Sequence, residues 1–183
     1  MRRLLGTTVL LAGLLSAGVS AQDLPDQNDA LRALASLAVE VQLVGAADRM
    51  GIDAAEVRRT VETRLRDGGL SVPAPGETPA RGEPTLRVTL HAIDAAGGYA
   101  FMVSVQFMER MVSLRRYVEL VLTGELPTSP ADSIAPLDLT PSVRWQARAL
   151  GTSGSERART FIPESLLGYI DQFLEDYRAA NGR

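Results

Sequence analysis

The sequence predicts an α+β domain, with about four strands in a largely antiparallel sheet and two helices on one face, in the order β-α-β-β-β-α. Three stretches carry this reading. In Leu86-Arg87-Val88-Thr89-Leu90-His91-Ala92 every second residue is apolar, the period of a half-buried strand. After Gly97-Gly98 the run Tyr99 to Phe107 returns with its larger apolar residues at odd positions, so the two runs form an antiparallel hairpin. Near the end of the chain Ile162, Leu166, Tyr169, Ile170, Phe173 and Tyr177 recur at helical spacing.

Taken in order, the chain opens with Arg2 and Arg3, an apolar run from Leu4 to Leu15, and small residues at Val19 and Ala21. This is the layout of a secretory signal peptide over 1–21, cleaved after about Ala21. The apolar run is shorter than the roughly 20 residues that span a bilayer. With no cysteine in the chain there is no thiol for lipid attachment, so the expectation is a periplasmic or secreted protein that is not a lipoprotein and has no transmembrane segment. Residues 22–36 read as a flexible leader with a short helical turn from Ala30. Residues 37–180 read as one domain.

Within that domain, Val39 to Leu43 alternates and sets a first strand over 37–44. A helix follows: Asp53 caps it, Glu56 completes a capping box, Val57, Val61 and Leu65 form its stripe, and Gly68 closes it in a left-handed conformation. Residues 71–84 hold four prolines and make a loop. The hairpin comes next, its paired glycines suited to positive φ. Beyond Phe107 the parity changes, which calls for a bulge near Glu109 to Met111. Phe107, Met111, Leu114, Val118 and Leu122 also fit a helix, but the β-rich Val118 to Leu122 favours a strand continued to Leu122.

A second proline-rich loop, 123–141, is long enough to be either disordered or a lid. Ser142 to Leu150 is the last strand, with Val143, Trp145, Ala147 and Ala149 on one face and Arg144, Gln146 and Arg148 on the other. Gly151 to Ser155 turns into the final helix, which takes Pro163 in its first turn and ends at Asn181-Gly182.

Val61-Glu62-Thr63-Arg64-Leu65 leading into Gly69-Leu70, the strand Leu86 to Leu90, Leu114-Arg115-Arg116, Trp145 on a late strand, and Phe173-Leu174-Glu175-Asp176-Tyr177 complete the pattern. In element order the chain resembles the small periplasmic α+β domains of bacterial envelope assembly, of the LptE and TolB N-terminal kind. That resemblance implies partner binding without catalytic residues. The missing cysteine departs from the lipidated LptE pattern and removes the expected outer-membrane tether.

Composition excludes several chemistries. The chain has 19 basic residues, 22 acidic residues and a net charge of −3; loss of Arg2 and Arg3 leaves 17 basic residues and a net charge of −5. Such a protein has no global field for nucleic acid. Every basic residue is arginine, so lysine nucleophiles and Schiff bases are excluded. His91 is the single histidine, and Gly151-Thr152-Ser153-Gly154-Ser155 lacks the serine-hydrolase elbow. No cofactor, metal site or catalytic residue is expected.

The polar sheet face is the candidate site: Arg87 and His91 on one strand, Arg144, Gln146 and Arg148 on another. Arginine there suits an anionic lipid, a glycan phosphate or an acidic protein patch. The expected function is an exported non-enzymatic binding or accessory module of the bacterial envelope, acting through the exposed sheet face or edge. The alternative is an exported hydrolase with a carboxylate or serine site. An exposed sheet edge also raises homo-oligomerisation.

Overall fold

A computed structural model describes residues 29–74, 77, 82–124 and 139–182. The expected signal peptide and most of the leader lie outside these residues, as do 75–76, 78–81 and the 125–138 part of the second proline-rich loop. The described chain is a mixed four-stranded sheet with three α-helices, an α+β fold. The strands are β1 (Ala38–Gly45), β2 (Thr85–Ala95), β3 (Gly98–Met111) and β4 (Thr140–Ser153). The helices are α1 (Ala54–Asp67), α2 (Leu114–Thr123) and α3 (Ser155–Asn181). Spatial order follows chain order, with β1 parallel to β2 and the other two pairings antiparallel. The parallel pairing follows from the α1 crossover between β1 and β2.

Alternation sorts the sheet residues. Leu86, Val88, Leu90 and Ala92 of β2 and Phe101, Val103, Val105 and Phe107 of β3 are buried with Val61 and Leu65 of α1 and Ile162, Leu166, Ile170, Phe173 and Tyr177 of α3. At its centre Trp145 meets Phe173 edge-on at 5.1 Å, and its indole Nε1 donates to the Asp176 carboxylate at 2.8 Å. The polar end of the indole thus keeps a partner while its rings are buried.

The first helix has the expected cap, the Asp53 side chain accepting from the Ala55 amide at 2.8 Å, but not the expected capping box, since the Glu56 side chain makes no hydrogen bond among the described residues. Its end differs. Gly68 is right-handed at φ −76°, and the left-handed residue is Gly69. Gly68 serves close packing instead, since a Cβ there would lie 2.4 Å from Leu174 Cδ2. The hairpin turn also divides its glycines. Gly97 has positive φ, whereas Gly98 allows close approach, because a Cβ there would meet the Ser153 carbonyl oxygen at 2.1 Å.

Residues 29–36, expected within the flexible leader, join the fold. Ala30, Leu31 and Leu34 are core residues, and Asn181 at the end of α3 holds this turn. Its Nδ2 donates to the Leu31 and Tyr177 carbonyls at 2.8 Å each, and its Oδ1 accepts from the Ala33 amide at 2.9 Å. Ala33 is left-handed at φ 56°, a conformation unfavourable for alanine that this hydrogen bond helps to hold.

Three further expectations are corrected. The strand expected to reach Leu122 ends at Met111, and α2 takes Leu114–Thr123. Local capping decides it: the Ser113 hydroxyl accepts from the Arg116 amide at 3.2 Å, and left-handed Gly124 ends the helix. The register shift falls between Phe107 and Met108, and the extra residue is Arg144 on β4. Val143 therefore pairs with Met108 and leaves the face of Trp145 and Ala147. Finally, α3 begins eight residues before Pro163, which stands inside the helix, where it cannot donate a backbone hydrogen bond.

Candidate binding surface

The face of the sheet opposite the core is built in rows by the strand register. Glu40, Arg87, Gln106 and Gln146 form one row, Gln42, Thr89, Ser104 and Arg148 the next, and Val44, His91, Met102 and Leu150 a third. Four of the five expected site residues, Arg87, His91, Gln146 and Arg148, take their places in these rows. Arg144 enters as the bulged residue beside the first row.

The arrangement is much less basic than the sequence suggests. Arg87 Nε donates to Glu40 Oε2 at 2.9 Å, and Gln42 Nε2 donates to Glu40 Oε1 at 2.6 Å. Burial pushes the Glu40 carboxyl up, but these hydrogen bonds and the Arg87 charge outweigh it and leave the carboxyl below its ordinary range. Arg144 Nε lies 3.4 Å from Glu109 Oε2, an ion pair whose Nε is buried without a hydrogen bond. Arg148 is exposed and has no ion-pair partner among the described residues, so it is the free cation of the set.

One pairing was accessible to sequence reasoning. The alternation that turns Val39, Val41 and Leu43 toward the core also sends Glu40 to the open face. The partnership of Glu109 with Arg144 was hidden by the bulge.

Apolar groups missed in the sequence stand beside the polar rows. Around His91, Ile93 is 56% exposed, Leu150 is 74% exposed, and Val44 is also exposed. His91, Ile93, Ala100, Met102, Leu150 and Thr152 line an open depression of about 480 Å³. A larger depression of about 540 Å³, between α1 and β1, is lined by Arg58, Arg59 and Glu62 among others. It adjoins the segment with residues outside the description, and Glu77 of that segment also lines it. Among the described residues no cluster of three metal-ligating side chains occurs.

The second apolar surface is on α2. Leu114 is 77% and Leu122 81% exposed, and Tyr117, Val118 and Val121 are exposed with them. Leu120 alone is buried, and it stands apart from the main core cluster. The helical spacing of Leu114, Val118 and Leu122 is visible in the sequence, where it competes with the β-rich composition of Val118 to Leu122.

No family model and no curated protein matches the chain. A solved structure, described as the crystal structure of an uncharacterized protein, is similar over 78% of this chain and 97% of its own, at 10% identity and a TM-score of 0.38. That likeness is too slight to bear on function.

Proposed function

We propose that this chain is an exported, non-enzymatic binding or accessory module of the bacterial cell envelope, engaging its partner through the open side of the sheet. The observation that carries the reading is the pairing of exposed apolar groups, Ile93, Leu150 and Val44, with the free Arg148 on the face opposite the core helices. Ile93 and Leu150 line one depression, with Val44 at the other edge of the sheet; apolar exposure on a folded domain suits an interaction surface, and the arginine two residues before Leu150 supplies a directional contact to an anion. The polar remainder, with Arg87 and Arg144 already held by carboxylates, adds shape and neutral hydrogen-bonding groups rather than charge.

Site-specific photocrosslinking in cells tests this. A crosslinker at Leu150 is expected to trap a defined species that one at Arg59, on α1, does not, and Arg148→Glu is expected to reduce the yield. Equal labelling from both positions, or none from Leu150, would count against the open face as the binding surface.

A further inference from the structure

We propose that α2 is an interfacial helix that lays Leu114, Tyr117, Val118, Val121 and Leu122 into the surface of an anionic lipid bilayer. This deepens the envelope-binding reading and rests on it for the compartment, but it uses a different surface. At 3.6 residues per turn the five side chains occupy an arc of about 140°. That is the width of a stripe that ordinarily faces a core. Here it faces outward, and Leu120, outside that arc, is the buried residue of the helix.

Charge selects the occupant. Arg116 is paired with Glu119 at 2.9 Å, while Arg110 and Arg115 are exposed and have no ion-pair partner among the described residues. Arg115 in the first turn of α2, with Arg110 near the end of β3 and four residues before the helix, places unpaired positive charge close to the apolar helix in the sequence, on a chain of net charge −3. Arg115 falls at the border of the apolar arc, where its stem can lie along the acyl boundary while the guanidinium reaches a phosphate. A ten-residue helix of about 15 Å is too short to cross a bilayer and suited to lying in its surface.

A second copy of the chain fits less well. Apposed α2 helices would bring four unpaired arginines together. One side of a ten-residue helix is also a small part of the roughly 800 Å² per partner that a stable dimer buries.

The test is flotation of the purified chain with phosphatidylcholine vesicles and with an equal mixture of phosphatidylcholine and phosphatidylglycerol. The chain is expected to float with the mixed vesicles and to be released as salt screens the headgroups. Val118→Asp with Leu122→Asp is expected to reduce flotation at least about tenfold, with the circular-dichroism spectrum and melting curve retained. Arg110→Glu with Arg115→Glu should abolish the preference for the anionic mixture, an independent check on a variant that keeps the apolar arc.

No flotation with either vesicle, or flotation of the Asp double variant equal to that of the parent, overturns the proposal. So does a dimer in sedimentation that the Asp variant dissociates while neither protein floats, which would assign the arc to a second copy. Crosslinking from Leu150 with no flotation would sink the lipid proposal alone, leaving the sheet-face reading intact.

Discussion

Helices α2 and α3 are both amphipathic, and they use that property in opposite ways. Along α3 the stripe Ile162, Leu166, Ile170, Phe173 and Tyr177 is buried against the sheet, and each residue belongs to the main core cluster. Along α2 a stripe of similar character points outward, with one buried residue outside that cluster. The difference teaches that helical periodicity establishes an apolar face but not its occupant. A face covered by its own sheet stabilises the fold, whereas an uncovered one is available to something else.

This contrast can be broken or sharpened by substitution, and the largest effect belongs to the α3 side. Trp145→Ala removes the indole packed against Phe173 and strands Asp176, and is expected to cost about 3–5 kcal/mol in urea unfolding. A loss below about 1 kcal/mol would mean that the β4–α3 contact is not the centre of the core. Asn181→Ala deletes three hydrogen bonds and should cost about 1–3 kcal/mol. Hydrogen exchange at the Ala33 amide should then quicken before exchange in β2 or β3 does.

A smaller, pH-dependent effect comes from the surface pair between α1 and α3. Arg64 donates to both Asp171 oxygens, at 2.7 and 2.8 Å, and these bonds hold the Asp171 carboxyl below its ordinary range. A depressed carboxylate stabilises the fold above its unfolded value of about 4, and that contribution is lost as pH falls through the lower folded value. Melting curves of parent and Arg64→Ala should therefore converge at acid pH and separate slightly toward neutrality, since both groups are solvent-screened. Convergence at neutral pH instead would contradict the pairing. Smallest of all, Leu122→Ala on α2 should change stability by no more than about 0.5 kcal/mol. A marked loss in the same unfolding assay would show that α2 docks through its apolar arc after all.

Sequence reasoning succeeded where a local pattern had one physical outcome. Leu86 to Ala92 alternates cleanly and is a strand with its apolar side buried, and Asp53 caps α1 where its position implies. It failed where two patterns competed. Val118 to Leu122 is β-rich yet helical in period, and the outcome turned on Ser113 and Gly124, whose capping roles depend on the backbone around them. The open face was legible as a face, because Arg87, His91, Gln146 and Arg148 follow from alternation. Its charge was not, because Arg87 and Arg144 meet Glu40 and Glu109 through pairings that alternation along a single strand does not reveal. Pro163 suggested a helix start by its usual preference, and the earlier residues of α3 overrode it.

The Asn181 clamp has a consequence for the order in which the chain acquires its structure. Its amide grips a turn that precedes it by about 150 residues, so a chain emerging N-terminus first from a ribosome carries that turn unfastened until α3 has followed it. Hairpin formation between β2 and β3 is local and needs no such wait. Fastening of that turn is thereby deferred until α3 is in place.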